Sequence, residues 1–104
     1  MIASAYRRQS PQFEVWHRGM LVGRADFGWQ EFRTLGEFDG KQKYGSLLKL
    51  GQTAADAVFA EKRREDALRD LGWQIVCWIW EDLYHPEELR IRLERAFERG
   101  LRAA

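Results

Sequence analysis

The chain has 104 residues, enough for one domain with one core and too few for two. Hydrophobic residues make up 45% and charged residues 32%, and five Trp, six Phe and three Tyr argue against an intrinsically disordered chain. With a net charge of +1, any basic surface for nucleic acid has to be local. A single cysteine excludes an internal disulfide, the N-terminus holds no apolar signal-like run, and no stretch approaches the ~20 apolar residues of a membrane span. These features predict a soluble cytoplasmic protein with no membrane partner.

Residues 1–11 read as a loose leader ending at Pro11, and 12–104 as one domain. Phe13 to His17 alternates as a strand does, and Arg18-Gly19-Met20 supplies a turn. Leu21 to Trp29 reads as a second strand and Arg33 to Asp39 as a third, joined by connections short enough for an antiparallel meander. Gly40 ends the third strand, and 41–53 is a Gly-containing loop without periodicity, a common place for a binding site. Ala54 to Leu71 reads as a helix with Ala57, Leu68 and Leu71 on one stripe and Gly72 as its stop. Trp73 to Trp80 is a nearly continuous apolar run, the pattern of a strand covered on both faces. A helix between the third and fourth strands implies a parallel pair with a right-handed crossover. Pro86 opens a last helix, on which Leu89, Leu93, Phe97 and Leu101 recur every four residues. The order β-β-β-α-β-α predicts an α/β fold: a mixed sheet of about four strands, three antiparallel and the fourth parallel to the third, with flanking helices.

Strand alternation places Glu37, Asp39 and Lys41 on one face of the third strand, with Thr34, Gly36 and Phe38 on the other. In the second strand Asp26 shares a face with Arg24 and Gly28, and Ala25, Phe27 and Trp29 take the apolar face. A hairpin that aligns Asp26 with the end of the third strand brings three carboxylates together. Clustered carboxylates repel unless a cation neutralises them, and oxygen-only ligands suit Mg²⁺ or Mn²⁺. A lysine two residues beyond an acidic ligand can orient a water or neutralise charge on a phosphate. On spacing alone the same residues also describe a solvated sheet edge.

Three segments carry a family resemblance: Gly23-Arg-Ala-Asp-Phe-Gly-Trp29, Gly36-Glu-Phe-Asp-Gly-Lys-Gln-Lys-Tyr-Gly45 and Glu61-Lys-Arg-Arg-Glu-Asp-Ala-Leu-Arg-Asp-Leu-Gly-Trp73. Over roughly 12–84 the chain resembles actinobacterial proteins of unassigned function whose C-terminal domain is related to the very-short-patch repair endonucleases, within the PD-(D/E)xK nuclease superfamily. The resemblance implies a restriction-endonuclease-like core and a metal-dependent DNA endonuclease using Mg²⁺ or Mn²⁺. It implies Asp26 as the acidic residue of the second core strand and Asp39 with Lys41 as the (D/E)xK element, Glu37 competing with Asp39 for the second ligand position. Asp26, Glu37, Asp39 and Lys41 are thus the catalytic candidates, and the first three the metal ligands. The alternative is a catalytically inactive nuclease-like domain, acting as a DNA-binding or protein-interaction module in a toxin–antitoxin or regulatory setting.

Lys43, Lys62, Arg63 and Arg64 are the candidate DNA contacts; a solvated face, or for Arg64 an inter-element salt bridge, explains them equally well. Two departures from the family pattern stand out. The dozen residues before the first strand show no helical pattern with the Glu that the family's first helix usually bears near the metal, and a chain without the relatives' winged-helix-like region is expected. A minimal version of the fold with one layer of cover missing is expected to expose an apolar sheet face and to form a homodimer. Cys77 is expected to be a buried, inert thiol, the Trp73, Trp78 and Trp80 cluster to lie in the core, and His17 and His85 to lack ligand spacing.

Overall fold

The structure, a computed structural model, describes residues 10–40, 51 and 53–103. Four strands form one sheet in the order β1-β2-β3-β4: β1 (Ser10–His17), β2 (Met20–Trp29), β3 (Thr34–Phe38) and β4 (Gln74–Trp78). The first three are antiparallel neighbours, and β4 runs parallel to β3 from Thr34↔Gln74 to Phe38↔Trp78. Helix α1 (Ala54–Asp70) makes the crossover between them, and α2 (Pro86–Ala103) closes the chain. The α/β class, strand directions and helix order all match the pattern in the sequence.

Local chemistry accounts for most of the boundaries. Arg18 and Gly19, with φ of 53° and 78°, form the two-residue turn between His17 and Met20, a type I′ geometry whose twist suits a hairpin. Thr53 and Asp56 close a capping box at the start of α1, exchanging bonds of 3.0 and 3.1 Å between side chains and backbone amides. Arg33 adopts a left-handed φ of 45° after a 3-10 turn at Gln30–Phe32, so β3 begins one residue later than alternation suggests. Its guanidinium donates 2.6 Å to Leu71 O and lies 5.0 Å from the Trp73 ring, placing a positive charge at the C-terminal end of α1. After β4 the chain turns into a 3-10 segment, Trp80–Tyr84, with the Asp82 carboxylate accepting from Ile79 N–H.

The sheet is packed on both faces. Val15, Ala25, Leu35, Leu68 and Trp73 form the core beneath α1. Trp29, Phe32, Val76, Trp78, Leu93, Ala96 and Phe97 form the core beneath α2. Among the described residues the bare apolar sheet face expected from a missing layer is therefore not seen; exposed apolar side chains on the strands gather instead at Trp16, Met20 and Leu21 near the hairpin turn. Two further expectations change. Trp80 lies outside the core at 59% exposure, because β4 ends at Trp78 and the indole caps Gly40 O from the surface. Leu101 is exposed, and the inward stripe of α2 runs through Leu93, Ala96, Phe97 and Gly100.

β1 starts at Ser10, three residues before Phe13, because pairing continues through Ser10↔Gly28 and Pro11↔Phe27 even though alternation fails there. The failure has a cause on each strand. Gln12 takes a φ of 54°, and directly across from it the ladder skips Asp26. Ala25 consequently joins the α1 core while Phe27 and Trp29 join the α2 core, although strict alternation would give all three the same face.

Gly100 marks a close approach of α2 to the 3-10 turn: a Cβ there would collide with Phe32 O. A Gly100→Ala substitution must push the helix off the 3-10 turn, and overpacking of this kind costs about 1–3 kcal/mol or more. Urea denaturation checks this; an unchanged midpoint would contradict the close approach.

Candidate functional site

The break at Asp26 sets the geometry of the site. The β2–β3 ladder ends at Phe27↔Gly36, and continuing it one step would set Asp26 opposite Glu37. Instead the Asp26 carboxylate takes over the pairing, its Oδ2 accepting from Phe38 N–H at 2.8 Å. A side chain thus satisfies a β3 amide that the neighbouring strand's backbone leaves open. Asp26 is half-buried and fixed beside the end of β3.

Glu37 behaves differently. It points toward α1, as alternation predicts, and meets Arg64 there. Arg64 Nη2 donates to Glu37 Oε1 and Oε2, both at 2.7 Å, and to Glu61 Oε1 at 2.6 Å. Arg64 Nε donates to both Glu61 oxygens at 3.2 Å. The (i, i+3) spacing of Glu61 and Arg64 puts both on the inward stripe of α1, above Leu68. One guanidinium therefore clamps two carboxylates, one from the helix and one from the sheet. Burial raises the Glu37 pKa above the ordinary value and outweighs the pull of Arg64, with Glu61 and Glu65 adding to the rise. Burial disfavours the Arg64 charge, but its hydrogen bonds to Glu61 and Glu37 more than offset this and hold it firmly protonated.

The other candidates are dispersed. Asp39 is exposed beyond the end of β3, its backbone N–H donating to Trp78 O at 2.8 Å. Lys41 and Lys43 lie outside the described residues. Lys62 and Arg63 are exposed on α1, turned away from the sheet; Lys62 stands 3.8 Å from Asp66, and Arg63 lies over the Phe59 ring. Cys77, paired with Glu37 across the β3–β4 ladder, is exposed rather than buried. Helix α1 covers the Glu37 side of the sheet without closing over Cys77. The packing around its sulfur, with the charges of Glu37, Glu65 and Glu61, pushes the thiol up to about 11. A thiol raised in this way stays protonated at neutral pH.

Asp26, Glu37 and Asp39 offer the carboxylate oxygens that Mg²⁺ or Mn²⁺ prefers. Their arrangement does not fit such an ion. Both Glu37 oxygens carry Arg64, and Asp26 Oδ2 carries the Phe38 amide. Among the described residues no three His, Cys, Asp or Glu side chains converge to hold a metal ion. Two residues of the cluster, Glu61 and Gly23, were not among the sequence candidates. Glu61 had a signal, a charge on the inward stripe four residues after Ala57; Gly23 had none.

Comparison with protein-family models, with curated proteins and with solved structures finds no match for this chain. No helix among the described residues is long and apolar enough to cross a membrane.

The raised Glu37 pKa has a definite sign for stability. The folded state holds this proton more tightly than the unfolded chain, so the Glu37 contribution is fully present below the ordinary glutamate range. It declines as pH rises through the folded-state value. Comparing wild type with Glu37→Gln between about pH 4 and pH 7 isolates the effect. The stability difference should move against the wild type as pH rises; the opposite slope would show that Arg64 outweighs burial.

Proposed function

We propose that this chain is a nuclease-like α/β domain of PD-(D/E)xK type that binds DNA without metal-dependent cleavage. One observation carries the second half of this reading: Arg64 holds both oxygens of Glu37, so this carboxylate is neutralised from within the chain. The β-β-β-α-β-α order and the mixed sheet support the nuclease-like half, as does the position of Asp26 beside the end of β3. Exposed Lys62 and Arg63 supply positive charge and an aromatic neighbour on the solvent side of α1, a combination suited to phosphate contacts. Lys41 and Lys43, the other candidate contacts on this side of the sequence, lie outside the described residues. A shared fold does not bring its chemistry with it.

The second reading is a Mg²⁺- or Mn²⁺-dependent DNA endonuclease with Asp26, Asp39 or Glu37, and Lys41 in the catalytic places. It is favoured by Asp26, whose carboxylate is held by a backbone amide rather than by a basic side chain. In either reading the domain is a candidate homodimer.

Two assays on one preparation separate the readings. Gel-shift titration against duplex DNA should show binding that weakens steeply with salt, and the Lys62→Ala, Arg63→Ala pair should weaken it by roughly 10-fold, about one kcal/mol or slightly more. Supercoiled plasmid with Mg²⁺ or Mn²⁺ should stay intact. Nicking that disappears in Asp26→Ala would establish the second reading, and no binding at low salt would remove DNA from both.

A further inference from the structure

The clamp around Arg64 is built like a binding site with its ligand in place. Two carboxylates come from different elements, Glu37 from β3 and Glu61 from α1, and both take hydrogen bonds from the same planar head group. The floor is Gly23 on β2. A Cβ there would stand 3.2 Å from both Arg64 Nη1 and Leu68 Cδ1, so the missing side chain makes room for the guanidinium edge. Arg64 Nη1 is buried against this floor and finds no acceptor among the described residues. A flat cation that can lie along a strand backbone while its other edge faces two carboxylates fits this shape. A compact ammonium or a hydrated divalent ion does not, because it presents donors or ligand positions in all directions.

We infer that Gly23, Glu37 and Glu61 form a guanidinium seat, a cation site that the chain fills with its own Arg64 and thereby closes to divalent metal. The inference deepens the proposed function, resting on the same premise that Glu37 is not a metal ligand, and gives that premise a physical origin. The seat joins three elements, β2, β3 and α1, so its occupant also pins the crossover helix to the sheet. Emptying it leaves two carboxylates facing each other with no counter-charge.

Chemical rescue tests the seat directly. In Arg64→Ala, the melting temperature should fall by several degrees, and millimolar ethylguanidinium should restore most of the loss. Ethylammonium at the same concentration should restore little. Ethylguanidinium that fails to restore more than ethylammonium does would overturn the seat. Manganese titration followed by electron paramagnetic resonance provides a second arm that needs only wild type and Glu37→Gln, and so survives misfolding of Arg64→Ala. Free Mn²⁺ signals should be the same in the two proteins. A wild-type Mn²⁺ site lost in Glu37→Gln would overturn the inference, even if DNA binding persists.

Discussion

Burying an ion pair between a helix and a sheet is expensive, because both charges give up water before they gain each other. Arg64 and Glu37 accept that cost at 22% side-chain exposure each, with Glu61 recruited as a second acceptor to make the desolvated guanidinium tolerable. Much of what surrounds the pair follows from it. The inward stripe of α1 is not uniformly apolar, because two of its turns carry the clamp while Leu68 carries the packing. β2 has a glycine beneath the guanidinium because a larger residue would crowd it. The neighbouring thiol of Cys77 is pushed up by the same carboxylates.

A second constraint, the loss of alternation at Gln12 and Asp26, shares out the two cores. Strict pleating would give α2 all of Ala25, Phe27 and Trp29 and leave the β1–β2 end of the α1 core thin. With the break, Ala25 supports α1 beside Val15 and Leu35, while Phe27 stacks on Trp78 and Trp29 packs at a tilt against Phe97 under α2. The residue at the break loses its regular place in the ladder, and a short acid is well suited to repair the edge by accepting a backbone amide. Asp26 therefore has a structural reason to be an acid, independent of any metal.

Element types and order were legible because period-2 and period-3.6 patterns, the Gly72 stop and the Pro86 start are local signals. The strand faces at Glu37 and Phe38 followed from alternation alone. What escaped was set by contacts distant in sequence. The face switch at Asp26 needs the left-handed Gln12 on the partner strand, and nothing in the Ala25-Asp26-Phe27 run announces it. An inter-element salt bridge was one reading of Arg64, and the structure shows it, but no local signal named Glu37 as the partner and an external phosphate explained the charge equally well. Trp80 looked like core because an apolar run does not show where a strand gives way to a 3-10 turn. The face that Glu37 takes on β3 was thus readable, but the bonds it makes there were not.

A double-mutant cycle on Arg64 and Glu37 measures the clamp itself. Urea denaturation of wild type, Arg64→Gln, Glu37→Gln and the double variant gives the coupling energy between the two side chains. For a half-buried, doubly hydrogen-bonded pair it should come out at about 1–3 kcal/mol, between the values for exposed and fully buried pairs. A coupling within about 0.3 kcal/mol of zero would mean that the two side chains do not hold each other in solution. The corner would then lose its internal cation.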